Sequence, residues 1–366
     1  MDLSLTDAQL AVREAAAQLL TDTCAPEVLR EVERTDDRFH RGAWEALARA
    51  DLLGLAVPER AGGAGEGLVE VCVLLEEAGR AVAAVPLWST SVAALAIGEV
   101  GTDDQVDRWL AGVAAGDRVL ALAIEELGTG AREPQLRAEP AGDGWRLTGT
   151  KHAVVAAHLA DALVVTARDA DGERRAFVVA ADAEGATIER QDTFSGELQA
   201  LVHLDGVPAE ELAGERAVDR IVDLATVALC ALAAGVAAAS LERTAAYVTE
   251  RQQFGRPIGS FQAVGHRAAD GYVDVEAMRL TWMLAASAVA GGEPATREVA
   301  IAKHWAAWGG RRVGHAALHL HGGISIDLDY PIHRYFLWAK QLELRLGGAS
   351  EQLEAIGRTI AARATA

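Results

Sequence analysis

Hydrophobic positions follow a helical period at both ends of the chain and an alternating period in the middle. In the first third, apolar residues recur every three to four positions, and Thr6-Asp7-Ala8-Gln9 has the pattern of a capping box at the start of a helix. After Val207-Pro208 the helical period returns in long segments rich in Ala and Leu. The predicted helices beyond the first are 42–53, 67–82, 87–100, 103–115, 221–250 and 261–290.

From about Val119 the period changes to two, which is typical of half-buried strands. Four strand candidates are separated by turn signals, including Asp143-Gly144 and Asp171-Gly172. This pattern predicts an α+β protein that is mostly α, in which a small antiparallel β-domain lies between two helical ones. The predicted strands are 145–149, 162–166, 176–179 and 201–204, and the predicted domains are 1–118, 119–212 and 213–366.

Composition narrows the possible functions. A chain of 366 residues is long enough for several sub-domains, and its formal net charge of −19 argues against a nucleic-acid or anionic-membrane surface. Cys24, Cys72 and Cys230 are too scattered for a disulfide framework, which favours a reducing compartment. The start, Met1 to Ser4, lacks a signal-peptide profile, and we expect the sequence to contain no run of about 18 apolar residues. These features predict a cytoplasmic protein.

The joint between the two long C-terminal helices carries the most informative stretch, Arg251 to Ile258, which is followed by Phe261-Gln262. Its glycines and proline stop the first helix. Arg251 alone has a structural interpretation, since a cation at a helix C-terminus is favoured by the helix dipole. An arginine, an aromatic ring and an amide around one corner also suit a pyrophosphate group and a flat ring.

Several motifs together resemble the acyl-CoA dehydrogenases, FAD enzymes that desaturate acyl thioesters. They are Arg251-x-x-Phe254-Gly255 with Gln262 after it, His321-Gly322-Gly323-Ile324, and two N-terminal segments, 44–65 and 74–80. The resemblance runs along the whole chain. It implies an N-terminal helical domain, a central β-domain and a C-terminal four-helix bundle that forms the oligomer core.

In this family, the ADP half of each FAD is held by the neighbouring subunit. The resemblance assigns this role to residues that are all present here, although His319 stands where Gln is common. The cofactor-binding residues that the resemblance implies are Arg251, Phe254, Gln262, His319, Gly322 and Gly323.

The flavin-ring contacts of the family are missing from the matching segments. One strand of the family carries Gly-x-Lys, a Trp and then a hydroxyl residue, but here Ala153 and Val155 replace the last two, although Lys151 is kept. The preceding loop, 124–131, keeps Glu126 but lacks the usual Pro and the Ser-Asp ending. We therefore predict that this chain does not form a complete isoalloxazine pocket of its own.

The catalytic base of the family is also missing from its two known positions. Gly347 stands at the usual glutamate position, and Ala225 stands where a variant branch supplies the base from an earlier helix. The nearby carboxylates of Asp223, Glu351 and Glu354 are interpreted as solvated helix positions or as charges that compensate a helix dipole. No catalytic residue is therefore predicted in this chain.

A metal site is not predicted. His315, His319 and His321 lie close together in sequence, but no carboxylate completes a ligand set before Asp327, and structural zinc sites usually include cysteine.

Three hypotheses about the function remain open. In the first, the chain is the subunit without a base in an α₂β₂ acyl-CoA dehydrogenase, with a second family member as partner and an acyl-CoA thioester as substrate. The short side chains at 347–349 would suit a bulky acyl group such as a steroid side chain. The second is a self-sufficient flavoenzyme with different chemistry, such as a monooxygenase, and the third is a non-catalytic acyl-CoA-binding scaffold.

Overall fold

The computed structural model describes residues 3–142, 144–214, 216–292 and 294–364. Met1, Asp2 and Asp143, the first residue of the predicted Asp143-Gly144 turn, lie outside these ranges. The helices are α1 (Asp7–Thr23), α2 (Pro26–Glu33), α3 (Arg41–Arg49), α4 (Leu68–Arg80), α5 (Leu87–Val100), α6 (Asp103–Trp109), α7 (Ala217–Glu250), α8 (Gln262–Ala290), α9 (Thr296–His321), α10 (Ile332–Leu344) and α11 (Ala349–Ala364). The strands are β1 (Leu120–Ala123), β2 (Arg137–Ala141), β3 (Gly144–Val155), β4 (Ala162–Arg168), β5 (Arg174–Ala180), β6 (Ala186–Gln191), β7 (Gln199–Glu211), β8 (Gln252–Gln253) and β9 (Arg256–Pro257).

The predicted helices form close to their predicted bounds. The capping box is present at α1, where the Thr6 hydroxyl accepts from the Gln9 amide at 3.3 Å and the Gln9 side chain accepts from the Thr6 amide at 3.0 Å. The prediction for α6 was too long, because the helix ends at Trp109 and the chain then turns through Gly112 and Gly116, whose φ angles are 84° and 80°. The short helix α2 was not predicted.

The central sheet is mostly antiparallel, as expected, but two of its pairings are parallel. β3 pairs antiparallel with β2 and β7, and β5 pairs antiparallel with β4 and β7, while β4 runs parallel to both β1 and β2. These pairings connect β4, β2, β3, β7 and β5 into a closed ring. Fully buried side chains such as Leu147 and Phe177 form its core. β1 was missed because all four of its residues are buried and show no alternation.

The chain divides into two compact units, which we describe separately. The first comprises the chain up to Pro26, Cys72–Ala83 and the chain from Thr226 onward, and it holds α8 to α11. The second comprises Glu27–Val71 and Ala84–Ala225, and it holds the central sheet.

Within the first unit, α4 and α7 touch backbone to backbone. A Cβ atom at Gly235 would lie 1.8 Å from the carbonyl oxygen of Glu76, and one at Gly79 would lie 2.0 Å from the carbonyl oxygen of Leu232. Atoms cannot approach this closely, so neither glycine can carry a side chain while the helices stay where they are.

The expectation about apolar runs needs a correction. By length and composition α7 could cross a membrane, but 94% of its most apolar window is buried inside the protein. Burial on this scale is typical of a core helix, and the small side chains of α7 suit close contact with neighbouring helices.

Candidate cofactor-binding site

A short hairpin directly after α7 positions two of the predicted cofactor residues. The Arg251 amide donates to the carbonyl oxygen of Tyr247 at 2.8 Å, and β8 then pairs with β9 across a two-residue turn. The turn residues Phe254 and Gly255 have φ angles of 57° and 77°, as in a type I′ turn. The Phe254 side chain is 92% exposed, and Arg251 is exposed as well. The hairpin therefore presents a guanidinium and an aromatic ring to a ligand or a partner.

The start of α8 lies against this hairpin. Phe261 precedes the helix, and its ring lies edge-on to that of Phe254 with 6.2 Å between centroids. The guanidinium carbon of Arg256 lies 4.1 Å from the centroid of the Phe261 ring, a cation–π contact. Gln262, the residue after Phe261, is the first residue of α8 and is exposed.

The end of α9 supplies the remaining predicted residues. His319, Gly322 and Gly323 are all exposed. Gly322 has a φ of 64° with a ψ of −141°, a backbone conformation that favours glycine. A Cβ atom at Gly322 or Gly323 would meet no other atom within 4 Å, so the backbone of this turn is open to close approach by a ligand.

Tyr247 and His321 join these two parts of the site. Their rings stack with 4.4 Å between centroids and 24° between planes, and the Tyr247 hydroxyl donates to the carbonyl oxygen of His321 at 3.3 Å. His321 is buried, and burial lowers the pKa of its imidazole. Tyr247 was missed from the sequence, although it lies in the last turn of α7, four residues before Arg251. The structure thus brings the Arg251 hairpin and the glycine turn together within one unit.

A cavity of about 480 Å³ continues from this site between α8 and α9. On α8 its lining begins at Ala263, directly after Gln262, and on α9 it ends at Ala316, one turn before His319. Its charged side chains include three arginines and two aspartates, together with two histidines, and Arg312 pairs with Asp274 at 3.1 Å within it. The cavity is lined by Ala263, His266, Arg267, Asp270, Gly271, Asp274, Arg311, Arg312, His315 and Ala316.

These residue types fit the ADP half of FAD. A guanidinium and an amide suit phosphate oxygens, an exposed phenyl ring offers a stacking surface, and a glycine turn allows backbone amides to approach the ligand.

The flavin-ring segment, which comprises residues 149–156 and the preceding loop 124–131, lies in the second unit. β3 changes register between Lys151 and Val154, and Ala153 adopts a φ of 51° at this irregularity. Val155, at the position where the family has a hydroxyl residue, is buried. Ala153 offers no stacking surface and Val155 offers no side-chain donor, so these two positions do not fit an isoalloxazine ring.

The Lys and Glu kept in this segment have a structural role. Lys151 is fully buried, and its ammonium donates to Glu126 at 2.6 Å and to the Thr166 hydroxyl at 3.1 Å. Glu126 also accepts from the backbone amides of Gln135 and Leu136, at 2.9 and 3.1 Å. Burial lowers the pKa of Lys151 to about 8, although the carboxylate of Glu126 acts in the opposite direction. The pair fixes the loop before β2 onto β3.

The two positions assigned to the family's base have no carboxylate. Gly347 has a φ of 92°, and a Cβ atom there would lie 2.7 Å from Nε2 of Gln352 and 2.8 Å from Oε2 of Glu351. Ala225 is fully buried, and its carbonyl oxygen accepts from the indole of Trp88 at 3.1 Å. Both backbones are thus set up for residues with little or no side chain.

The other carboxylates near these positions have their own partners or lie in solvent. Asp223 forms an ion pair with Arg132, and Glu354 is exposed 3.7 Å from Arg358.

The histidines of α9 do not have the geometry of a metal site. Among the described residues, no three His, Cys, Asp or Glu side chains converge on one point. Nδ1 of His321 is 2.8 Å from the carbonyl oxygen of Ala317, and the ring of His315 packs edge-on against Phe336.

The fold and the motifs define a flavin-dependent acyl-thioester dehydrogenase class, and the chain belongs to the acyl-CoA dehydrogenase family. The family model for the acyl-CoA dehydrogenase N-terminal domain matches residues 6–117, and the model for the C-terminal domain matches residues 213–361. The predicted family and fold are therefore confirmed. FAD is the cofactor of this family, and membership in it supports an oxidoreductase.

Individual relatives are similar over nearly the whole chain. Acyl-CoA dehydrogenase FadE27 of Mycobacterium tuberculosis (strain ATCC 25618 / H37Rv) is 38% identical, with 99% of each chain covered. Among solved structures, a variant of the Tcur3481-Tcur3483 steroid ACAD is 47% identical with a TM-score of 0.95, covering 98% of this chain and 99% of the other. The ChsE4-ChsE5 complex from Mycobacterium tuberculosis is 39% identical with a TM-score of 0.93, covering 99% of each chain.

Proposed function

We propose that this chain is a subunit of a heteromeric FAD-dependent acyl-CoA dehydrogenase. In this assembly it contributes the cradle for the ADP half of FAD, while a partner subunit of the same family contributes the base and the isoalloxazine pocket. The acyl group is a bulky one, of the steroid side-chain class. The cradle consists of Arg251, Phe254, Gln262, His319, Gly322 and Gly323.

One observation carries the proposal. All six cradle residues are exposed and lie within one compact unit, whereas the residues at the flavin-ring positions are small or buried. An exposed phenylalanine on a strained turn is unfavourable in an isolated chain, because it gains no burial and costs about 1 kcal/mol or more in backbone strain. Phe254 has a stabilising role only if a ligand or partner covers it.

The relatives support a partner of the same family. The ChsE4-ChsE5 structure is a complex of two proteins, and the Tcur3481-Tcur3483 variant is described as a steroid acyl-CoA dehydrogenase. Both are similar to this chain over nearly its full length. The steroid side-chain class of the proposed acyl group is taken from the description of the Tcur3481-Tcur3483 variant.

The division of roles follows from the residue types. FAD, when bound, would supply the hydride acceptor for the β-hydrogen of the acyl thioester. Arg251 and Gln262 hold the diphosphate by charge-assisted and neutral hydrogen bonds, and the turn at Gly322 lets the backbone approach the same groups. The α-proton is removed by a carboxylate of the partner, since neither Gly347 nor Ala225 can act as a base.

Native mass spectrometry combined with flavin absorbance tests the proposal. The chain is expressed alone and then together with a family member encoded beside it. We expect an apo protein in the first case and an α₂β₂ species with one FAD per αβ pair in the second. A homotetramer of the chain alone with one flavin per subunit would contradict the proposal and favour the self-sufficient flavoenzyme.

A further inference from the structure

We propose that Tyr247 and His321 form a positioning pair that fixes the Arg251 hairpin relative to the Gly322-Gly323 turn. The inference deepens the proposed function and rests on it. Neither ring is assigned a contact with the cofactor, so both act through the residues that follow them in the chain.

The first part of the argument is the direct path from each ring to the cradle. The carbonyl oxygen of Tyr247 accepts from the Arg251 amide at 2.8 Å, so movement of Tyr247 shifts the first residue of the hairpin. His321 is the last residue of α9 and is joined directly to Gly322. The stack at 4.4 Å, together with the hydroxyl bond to the His321 carbonyl at 3.3 Å, therefore spans the two halves of the cradle.

The second part is the charge state of His321. A carbonyl oxygen can only accept, so the 2.8 Å contact with Ala317 places the proton on Nδ1. Nε2 then carries the lone pair, and this atom is buried without a hydrogen-bond partner among the described residues. Burial lowers the pKa of the imidazole, in agreement with a neutral ring. A neutral imidazole can stack face to face on a phenol without burying a charge.

The third part is the enclosure of the pair by Tyr330. Its ring centroid lies 5.3 Å from that of His321 and 6.3 Å from that of Tyr247. The carbonyl oxygen of Tyr330 in turn lies 2.7 Å from Nδ1 of His333, at the start of α10. The rings of Tyr247 and Tyr330 thus contact His321 and hold the turn that begins at Gly322. A site for a diphosphate requires its groups to be positioned this precisely.

The chain offers a matched control for the hydroxyl of Tyr247. Tyr335 lies in the same unit and is buried, and its hydroxyl donates to the backbone carbonyl of Arg80 at 3.0 Å and accepts from Nε of Arg243 at 3.0 Å. Tyr247→Phe and Tyr335→Phe therefore both remove a phenol hydroxyl that donates to a backbone carbonyl. Tyr335→Phe also removes the acceptor of Arg243, so it should cost at least as much stability as Tyr247→Phe.

The experiment measures dissociation constants of FAD, and of ADP as a probe of the cradle alone, on the apo complex of the full chain with its partner subunit. Melting temperatures are recorded in parallel. We expect Tyr247→Phe and His321→Leu to weaken both ligands about fivefold, which is typical of the loss of one hydrogen bond. Tyr335→Phe should lower the melting temperature by as much or more and leave both constants unchanged. His321→Gln, which keeps a donor for Ala317, should recover part of the affinity.

Each outcome has a definite meaning. Equal weakening by Tyr247→Phe and Tyr335→Phe would show a general stability effect and overturn the positioning role. Unchanged affinity in Tyr247→Phe and His321→Leu would overturn it as well, while the cradle itself stands if Arg251→Ala still weakens the binding of both ligands. Unchanged ADP affinity in Arg251→Ala would overturn the proposed function and the inference with it.

Discussion

The cradle in the first unit and the flavin-ring segment in the second differ in how their side chains are used. In the cradle, polar and aromatic groups are exposed and strained backbone is retained at Phe254. In the flavin-ring segment, the one buried charge, Lys151, is neutralised within the chain by Glu126, and Val155 faces the core. The first arrangement awaits a binding partner, whereas the second is already complete.

Under the proposed function, this difference means that one part of a binding site can persist while another part changes. The Lys151–Glu126 pair has a structural reason to be present, because removing either residue would leave an unpaired buried charge. Residues kept for folding and residues kept for binding can therefore be separated by mutation.

The largest effect is expected for Lys151→Met. Glu126 would lose its ion-pair partner while remaining largely buried, so the free energy of unfolding should fall by about 3–5 kcal/mol. The double variant Lys151→Met/Glu126→Gln should regain much of this loss, and denaturant unfolding measures both. FAD affinity of the assembled complex should change little in either variant. A double variant no more stable than the single one would contradict the role given to the pair.

Arg251→Ala should show the opposite behaviour. Loss of a charge-assisted contact weakens binding by about 2 kcal/mol, which is roughly thirtyfold in the FAD dissociation constant, while the melting temperature of the apo protein stays nearly the same because the side chain is exposed. Arg297→Ala is the matched control, since Arg297 lies at the other end of α9 and is paired with Glu298. Equal effects of the two variants on FAD affinity would count against the cradle.

Gly347→Glu tests whether a carboxylate alone restores catalysis. We expect no flavin reduction by an acyl-CoA when the variant is purified alone, because the flavin-ring contacts are missing as well. A side chain at a φ of 92° should also destabilise the protein by about 1–2 kcal/mol. Dye-linked turnover and thermal unfolding provide the readouts, and measurable turnover would refute this account of the flavin-ring segment.

The smallest effects come from relieving strain at one position in each region. Phe254→Asn creates an Asn-Gly type I′ turn and Ala153→Gly removes a Cβ at a φ of 51°, so each should stabilise the protein by up to about 1 kcal/mol. Only Phe254→Asn should weaken FAD binding in the complex. If Ala153→Gly weakened it equally, the flavin-ring segment would also contact the cofactor.

Much of the helical architecture could be predicted from local signals. The capping box at Thr6 and the Ala- and Leu-rich composition of α7 are local features of the sequence. Three of the cradle residues were indicated by a motif that spans one hairpin and the start of α8, and the other three by a second motif at the end of α9. The pairing of Lys151 with Glu126 could not be predicted in this way, since the fold brings together residues 25 positions apart. The positive φ of Ala153 was equally hidden, because alanine has no local preference for it and the register of β3 against β7 imposes it.

The contact between α4 and α7 at Gly79 and Gly235 has a mechanical consequence. With no side-chain layer between the two backbones, little can deform at the crossing, and a displacement of α4 there is passed directly to α7. From Gly235, α7 continues as one helix to Tyr247, about 18 Å further along its axis. A tilt of α7 at this crossing would therefore move the C-terminal part of the helix as a rigid body, together with the hairpin that carries Arg251.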